Sequence, residues 1–401
     1  MIAAVARIHE TIKVFEDDLI ALRRDIHAHP ELGFQEVRTA DLVAGRLAEW
    51  GLEVHRGLGQ TGVVGTLRGT GGDGRTVGLR ADMDALPIAE RSDCDHRSTA
   101  DGKMHACGHD GHTTMLLGAA RYLSRHRDFP GTVRFIFQPA EEGFGGGRKM
   151  VEEGLFTLFP VDAIYGMHNF PGIAVGRFAL RSGPMMASSD TWTATFRGTG
   201  GHGGAGAHLA TDPTVVLGQF IGALQSIIGR NVRAVDPAVL SIGYIHAGSP
   251  NSPNVIPDQV VVRGTARCFS PEVRDLLERR LTEVATALAA ASHCTAAVDY
   301  HRRYPPLVNA PAQSAIAARA AVAVVGAENV DTNAPLVTAG EDFSFMLNQR
   351  PGAFILIGNG ANADGSIHDL HTPHYDFNDD ILCLGATYWC AVALAELQGD
   401  G

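Results

Sequence analysis

Hydrophobic residues recur every three or four positions near the start of the chain, which predicts amphipathic helices at residues 11–27 and 36–50. Gly51 follows the second segment as a stop signal. In chain order, the pattern then predicts strands at 62–68 and 76–81, a helix at 111–125, and strands at 132–138 and 162–168. Helices that alternate with short apolar strands indicate an α/β domain with a largely parallel, buried sheet.

The pattern changes around residues 184–189 and returns to its first character after residue 304. The segment between is predicted to contain, in order, a strand at 191–197, a helix at 212–230, strands at 239–247 and 259–267, a helix at 270–291 and a strand at 295–300. This β-α-β-β-α-β order is ferredoxin-like. After it, the pattern predicts a helix at 312–325, a strand at 353–358 and a helix at 379–398. We therefore expect an α+β domain at 187–303, inserted into an α/β domain formed by 1–186 and 304–401.

Length and charge limit the classes of protein that the chain could represent. Its 401 residues exceed what one hydrophobic core usually serves, in agreement with two domains. It carries 33 Lys and Arg against 44 Asp and Glu, a net charge of −11, so neither nucleic acid nor an anionic membrane is an expected partner. No stretch approaches the ~20 apolar residues that span a bilayer. The first residues do not have the pattern of a signal peptide, and we expect a cytoplasmic protein.

Polar clusters follow the predicted strands of the α/β domain, where active sites collect at the carboxyl ends of strands. The clusters lie at residues 80–84, 138–143, 166–169 and 368–373, and a fifth, at 105–110, directly precedes a predicted helix. Any one of them alone would more often be hydrogen-bonded structure or solvated surface. Five in one domain indicate a functional site.

The side chains of these clusters suit a pair of divalent metal ions. Cys107 and His109 are two residues apart, and Gly108 lets the backbone bend so that both face one point. Thiolate and imidazole are ligands that borderline-soft ions prefer. Glu141 and Glu142 follow an apolar strand, and adjacent carboxylates are buried only where cations or protons compensate their charge. One glutamate could then bind metal while the other takes a proton from water.

These motifs resemble those of the M20 metallopeptidase family, and within it the amidohydrolase branch of hippurate hydrolases, N-acyl-amino-acid aminoacylases and plant auxin-conjugate hydrolases. The resemblance covers nearly the whole chain, and the order HACGHD, EEG and GMH is its most specific part. The matching segments are 29–32 (HPEL), 82–87 (DMDALP), 104–110 (MHACGHD), 141–143 (EEG), 166–168 (GMH), 201–203 (GHG), 254–257 (NVIP), 340–343 (GEDF) and 370–373 (LHTP). It implies a metallo-aminopeptidase-like catalytic domain with an inserted lid or dimerisation domain.

The resemblance also implies roles for individual residues. Glu141 would be the general base, which activates water and later protonates the leaving amine. Asp84 would fix the orientation of a ligand histidine. His27 and His29 would belong to a structural motif. Two divalent ions (zinc, manganese, cobalt or nickel) would be bound by a bridging thiolate and four further ligands, namely Cys107, His109, Glu142, His168 and His371.

In the inserted domain, the resemblance implies that His202 reaches the active site of a partner subunit and stabilises the oxyanion there. Asn254 would be a polar contact to substrate, and the protein would be a homodimer. The family usually has GGHGAMPH around this histidine, whereas this chain has GGHGGAGAH, which is one residue longer and lacks the proline. We therefore expect a looser or differently aimed loop.

The function that the resemblance implies is hydrolysis of the amide bond of an N-acyl amino acid or a short peptide. A dipeptidase or carboxypeptidase of the same superfamily would use nearly the same chemistry. A non-catalytic metal-binding scaffold is disfavoured because the base and all five ligands are present. A hydrolase with Cys107 as nucleophile is disfavoured because the carboxylates and the other histidines would have no role. The sequence leaves the acyl group, the amino acid, its stereochemistry and the native metal open.

Overall fold

The structure, a computed structural model, describes residues 2–361 and 365–399. The chain divides into two compact units. We call the first the α/β unit; it comprises Met1–Met185, Val308–Pro335 and Asp342–Gly401. We call the second the α+β unit; it comprises Met186–Leu307 and Leu336–Glu341. The sequence pattern did not indicate that Leu336–Glu341 returns to the second unit.

The strands and helices of the described residues have the following bounds. The strands are β1 Glu53–Leu58, β2 Gly62–Arg68, β3 Thr76–Asp82, β4 Thr132–Gln138, β5 Ala163–Pro171, β6 Phe178–Ala179, β7 Gly183–Met186, β8 Ser189–Arg197, β9 Gly201–His202, β10 Ala238–Ala247, β11 Val255–Ile256, β12 Gln259–Cys268, β13 Thr295–Tyr304, β14 Leu307–Asn309, β15 Val330–Asp331 and β16 Gly352–Gly360. The helices are α1 Ile2–Lys13, α2 Glu16–Ala28, α3 Val37–Glu49, α4 His109–Arg125, α5 Glu141–Phe144, α6 Gly146–Glu152, α7 Leu155–Leu158, α8 Pro213–Asn231, α9 Pro271–Ala291, α10 Pro311–Val325, α11 Phe343–Leu347 and α12 Leu382–Gln398.

The α/β unit is built on an eight-stranded sheet in the order β1-β2-β4-β3-β5-β16-β6-β15. The central strands β4, β3, β5 and β16 run parallel to their neighbours in this group. Antiparallel pairs join β1 to β2, β2 to β4 and β6 to β16. The expected α/β fold with a mainly parallel sheet is therefore confirmed. The carboxyl ends of β3, β4 and β5 meet at one edge of this sheet, where active sites of such sheets lie.

Helix α12 packs against α4, α10 and α1 and is buried along nearly its whole length. Together with the short turn before it, it forms a segment, Asp379–Gln398, that is long and apolar enough to cross a membrane by length and composition. This corrects the expectation that no stretch approaches such a length. The unit buries 78% of the segment's most apolar window. Packing in the core accounts for the apolar character of this helix.

The α+β unit contains a four-stranded antiparallel sheet in the order β10-β12-β8-β13. Helices α8 and α9 pack on it, and Trp192, Phe196, Phe220 and Leu277 lie in their shared core. Both helices begin with a proline after a capping side chain that accepts a backbone hydrogen bond. The chain order β8, α8, β10, β12, α9, β13 is the β-α-β-β-α-β order that the sequence pattern predicted.

The helix predicted at 11–27 is two helices, α1 and α2, joined at residues 14–15. Ile12, Phe15 and Leu19 are all buried and keep a spacing of three and four across the joint. Because the apolar face continues through the break, hydrophobic periodicity does not reveal it. Strand β1 was not predicted, since most of its residues are exposed at the sheet edge and show no alternation.

Candidate metal centre

Predicted site residues follow three parallel neighbouring strands of the α/β unit. Asp84 comes two residues after β3, Glu141 and Glu142 follow β4, and His168 lies within β5. His109 is the first residue of α4, whose side chains pack beside these strands. Since the carboxyl ends of β4, β3 and β5 lie side by side, the fold brings these residues to one place.

Cys107 lies at the centre of the cluster. Its Sγ is 3.4 Å from Nε2 of His168 and 3.3 Å from Nε2 of His371. Nε2 of His371 is also 3.1 Å from Oε1 of Glu142. The thiol therefore belongs to two groups, each with its ligand atoms within 4.8 Å of one another: Cys107 with His109 and His168, and Cys107 with Glu142 and His371. The five predicted ligands thus form two sets that share one sulfur, which we call the Cys107 centre.

The imidazole rings of the first set direct their Nε2 atoms to the centre. Nδ1 of His168 donates to the backbone oxygen of Asn169 at 2.6 Å, so Nε2 of the neutral ring carries the lone pair. Nδ1 of His109 lies 3.2 Å from Oδ1 of Asp84. Nε2 of His109 is buried and has no hydrogen-bond partner within the described part of the chain. This buried nitrogen lies 3.7 Å from Oδ2 of Asp82 and near the Cys107 thiol, and a buried nitrogen with no hydrogen bond in such a place fits a metal ion.

Gly108 is required by its surroundings. Its φ of +91° lies in the left-handed region that favours glycine. A Cβ at this position would lie 2.4 Å from Oδ1 of Asn169 and 2.6 Å from the hydroxyl of Tyr375. A backbone bend was expected at this glycine, and the structure adds a close approach that leaves no room for a side chain.

Asp84 holds the parts of the centre together through both carboxylate oxygens. Oδ1 accepts hydrogen bonds from the backbone N–H of Glu141 at 3.0 Å and from Nδ1 of His109 at 3.2 Å. Oδ2 accepts from the backbone N–H of Glu142 at 2.9 Å. One buried carboxylate therefore orients a candidate metal ligand and both glutamates, and a second-sphere partner of this kind sets ligand geometry.

The two glutamates follow a turn of unusual backbone conformation. Ala140 has a φ of +54°, which is rare for a residue other than glycine. Its N–H donates to Oε1 of Glu36 at 2.8 Å, which helps to hold this conformation. Oε1 of the buried Glu141 accepts from the N–H of Asp342 at 3.3 Å. Such backbone strain concentrates at functional sites, where the surrounding structure maintains it.

The charges around the centre favour a cation. Burial raises the pKa of the Cys107 thiol well above its usual value, and the carboxylates of Glu142, Glu141 and Asp82 raise it further. Burial alone would lower the pKa of His109, but the carboxylates, Asp82 first, raise it to about 10. The carboxylates act in the same direction on both groups, because the centre holds a buried excess of negative charge. Divalent ions would offset this excess and allow the thiolate form of the sulfur to bind.

The structure adds residues to the centre that the sequence analysis did not identify. Nδ1 of His112 lies 2.6 Å from Oδ1 of Asp82, and its Nε2 lies 2.7 Å from Oδ1 of Asn169. The His112 ring also packs edge-on against the His168 ring at 4.4 Å. These contacts support the position of His168. The signal in the sequence is the spacing of three between His109 and His112, which places both on one face of α4.

His202 and Asn254 lie in the α+β unit, outside the chain segments of the Cys107 centre. Nδ1 of His202 accepts hydrogen bonds from the N–H groups of Gly204 and Ala205, both at 3.1 Å. The N–H of Gly203 donates to the backbone oxygen of Asn254 at 2.8 Å. The GGHGGAGAH segment is thus hydrogen-bonded around its exposed histidine, and the expectation of a looser or differently aimed loop stays a prediction.

His27 and His29 make structural contacts. Nδ1 of the buried His27 lies 2.7 Å from Oδ2 of Asp110, and its Nε2 lies 3.3 Å from Oε1 of Glu90. Nδ1 of His29 donates to the backbone oxygen of Asp25 at 2.7 Å. These contacts agree with the structural role expected for the HPEL region, and neither ring belongs to the two ligand sets of the Cys107 centre.

The chain is similar to known proteins over nearly its whole length. The sequence profile of peptidase family M20/M25/M40 matches residues 78–395. The chain is 40% identical over 377 residues to a hippurate hydrolase of Campylobacter jejuni, which covers 94% of this chain and 96% of that protein. It is 38% identical over 388 residues to an N-acetylcysteine deacetylase of Bacillus subtilis, covering 96% and 98% respectively. A crystal structure of a dinuclear metal-binding M20 peptidase from Bacillus subtilis has a TM-score of 0.84 and 35% identity, covering 97% of this chain and 100% of that one.

The fold and the relatives define the protein as a metal-dependent amidohydrolase. The chain belongs to peptidase family M20/M25/M40 and, within it, to the amidohydrolase branch. The resemblance found in the sequence is thereby confirmed, as is the expectation of an enzyme.

Proposed function

We propose that the protein hydrolyses the amide bond of N-acyl amino acids with two divalent ions bound by Cys107, His109, Glu142, His168 and His371. The main support for this proposal is the shared thiol, because two sets of three candidate ligands meet at the sulfur of Cys107. A single ion would be bound by only one of the two sets. The solved relative described as a dinuclear metal-binding peptidase supports the same number of ions.

In the proposed reaction, the bound ions, Glu141 and Asp84 have separate tasks. Divalent ions supply Lewis-acid chemistry, which lowers the pKa of water and polarises a carbonyl group. Glu141, beside the ligand Glu142, takes the proton of the attacking water and delivers it to the departing nitrogen. Asp84 keeps His109 and both glutamates in position through its three hydrogen bonds. The products are a carboxylic acid and an amino acid with a free amine.

His202 serves as the oxyanion donor in this proposal. Its Nδ1 accepts two backbone hydrogen bonds, so the neutral ring carries its proton on Nε2. An N–H donor aimed at the developing oxyanion stabilises the transition state. We infer that this side chain acts in the active site of the partner subunit of a homodimer. Asn254, whose backbone oxygen is bonded to the same loop, would contact the substrate there.

The names of the relatives support the substrate class, since hippurate and N-acetylcysteine are both N-acyl amino acids. A dipeptidase or carboxypeptidase activity is the alternative with the same chemistry, and a metal-binding scaffold is the non-enzymatic one. Zinc, manganese, cobalt and nickel all suit the mixed sulfur, nitrogen and oxygen ligands. We place the reaction in the cytoplasm.

Reconstitution with single metals tests the proposed function. The purified chain would be loaded with each of the four metals and assayed with N-acetyl, N-benzoyl and longer N-acyl amino acids and with dipeptides. We expect two ions per chain and cleavage of N-acyl amino acids. Faster cleavage of dipeptides would favour the peptidase alternative. Absence of turnover on the whole panel with both ions bound would favour the scaffold.

A further inference from the structure

A second group of thiol, imidazole and carboxylate side chains lies in the α/β unit and shares no residue with the Cys107 centre. Cys94 and His96 lie in the loop between β3 and α4, and Asp376 lies shortly before α12. One ligand atom of each of these three residues lies within 4.8 Å of the others. We call these residues the Cys94 cluster.

The distances in the Cys94 cluster suit a tetrahedral metal ion. Nε2 of His96 lies 3.1 Å from both carboxylate oxygens of Asp376. Ligand atoms around a tetrahedral zinc ion, with bonds of about 2.0–2.3 Å, stand roughly 3.3–3.6 Å apart. The ligand atoms of Cys94, His96 and Asp376 all lie within 4.8 Å of one another, so side-chain rotations would bring them to coordinating distance. Borderline-soft ions such as zinc accept this mixture of ligand atoms.

Carboxylates and cationic side chains both lie near the Cys94 cluster. Burial raises the pKa of the Cys94 thiol, and the carboxylates of Asp376 and Glu90 raise it further. Arg23 lies 3.0 Å from Asp376, but the same guanidinium group also pairs with Asp379 at 2.7 Å. Arg24 pairs with Asp379 as well, at 2.9 Å. Binding of a divalent ion to Cys94 would release the thiol proton to solvent.

The neighbouring His27 is not a ligand in this arrangement. Its two nitrogens face Asp110 at 2.7 Å and Glu90 at 3.3 Å. Both ring nitrogens are thus engaged by carboxylates, so we do not count His27 among the ligands of the Cys94 cluster. The Cys94 cluster thus supplies three ligands and leaves a fourth position to water.

We propose that Cys94, His96 and Asp376 bind a divalent ion of the zinc type, in addition to the ions of the Cys107 centre. His96 and Asp376 line a cavity of about 360 Å³, which gives the ion and its water access to the cluster. The ion ties the loop that carries Cys94 and His96 to the segment before α12. Because this loop leads directly to Cys107, the ion stabilises the backbone that presents the ligands of the Cys107 centre.

Alkylation of Cys94 tests the proposal without reference to activity. Cys94 is half-buried, whereas the other five cysteines are buried, so peptide mass spectrometry can follow this thiol separately. The metal-loaded enzyme would receive a pulse of iodoacetamide with and without micromolar Zn²⁺. We expect Zn²⁺ to slow alkylation of Cys94 about tenfold or more, since a metal-bound thiolate is shielded. Equal rates would overturn the proposal.

Two matched substitutions separate coordination from a general effect of charge. Asp376 and Asp380 line the same cavity, but only Asp376 belongs to the Cys94 cluster. Asp376→Asn should abolish protection by Zn²⁺, and Asp380→Asn should retain it. After gel filtration, the wild-type enzyme should hold about one more zinc ion per chain than Cys94→Ser. Loss of protection in both aspartate variants, or equal zinc content in wild type and Cys94→Ser, would overturn the proposal.

Discussion

The carboxyl group of Glu36 lies beneath the turn that carries the two glutamates of the centre. Its Oε1 accepts from the N–H of Ala140 at 2.8 Å, and its Oε2 accepts from the hydroxyl of Thr61 at 2.6 Å. The side chain is fully buried, and burial raises its pKa from 4.5 to about 7. The protonation state of one residue is therefore linked to the stability of the whole unit.

We predict that Glu36→Gln weakens the pH dependence of stability. Folded protein retains the Glu36 proton up to about pH 7, while the unfolded chain loses it near 4.5, so wild-type stability is lost as pH rises through this window. The glutamine oxygen can still accept from Ala140, and its amide can donate to Thr61. Between about pH 5 and pH 8, the wild-type free energy of unfolding should fall by about 2 kcal/mol more than that of the variant.

Urea unfolding at both pH values measures this difference. Glu49→Gln, at an exposed position on α3, is the matched control and should follow wild type. Parallel pH dependence in wild type and Glu36→Gln would show that the Glu36 carboxyl does not carry the shift.

Residues with metal-ligand chemistry could be predicted from the sequence because they stand in short runs, such as Cys107 with His109. Glu36 and His112 could not, since their partners Ala140 and Asn169 are distant in sequence. The role of a buried carboxylate or histidine depends on its hydrogen-bond partners, and the tertiary structure determines which residues these are.

Three elements meet at Asp84, namely the end of β3, the start of α4 and the turn after β4. We predict that Asp84→Asn weakens metal binding about 10–100-fold, the usual effect of losing such a partner. An amide nitrogen would replace one acceptor and face the N–H of Glu141 or Glu142. Competition with a chelator measures the affinity, and circular dichroism checks that the variant folds.

Asp73→Asn, at an exposed position between β2 and β3, is the control for this change and should bind metal as wild type does. An Asp84→Asn variant with unchanged metal affinity would rule out the positioning role.

Length and burial decided which elements the sequence could predict. Strands β3 and β4 have seven residues each that are buried almost throughout, and both were predicted. Strands β6 and β15 have two residues each, too few for any period, and were not. The left-handed Ala140 was also not predicted, because alanine carries no signal for positive φ. The hydrogen bond from its N–H to Glu36, which helps to hold this conformation, joins residues that are distant in sequence.

At the scale of the whole molecule, the switch from a helix–strand alternation to the β-α-β-β-α-β order indicated a second folding unit. The segment Leu336–Glu341, which belongs to that unit, is too short to show a pattern of its own. The relatives cover nearly the entire chain, so the family applies to both units. The lid and dimerisation roles of the α+β unit remain predictions.

The homodimer proposal predicts complementation between inactive variants. A subunit with Glu141→Gln still has an intact His202, and a subunit with His202→Ala still has an intact Glu141. Random pairing after dissociation makes about half the dimers mixed, each with one intact site, so the mixture should recover roughly a quarter of wild-type activity. Each variant dissociated and reassociated alone is the control. No recovery despite confirmed subunit exchange, or full activity of His202→Ala alone, would contradict shared active sites.

We propose that the Cys107 centre binds two ions and that Glu141 is the base beside it. The same change from Glu to Gln, made separately at positions 141 and 142, tests both points. Metal content and turnover would be measured together for wild type, Glu141→Gln and Glu142→Gln. We predict that Glu141→Gln retains both ions while kcat falls about 10²–10⁴-fold, because only the proton carrier is lost. Glu142→Gln should lose metal. Equal loss of metal in both variants, or near wild-type turnover in Glu141→Gln, would contradict the account.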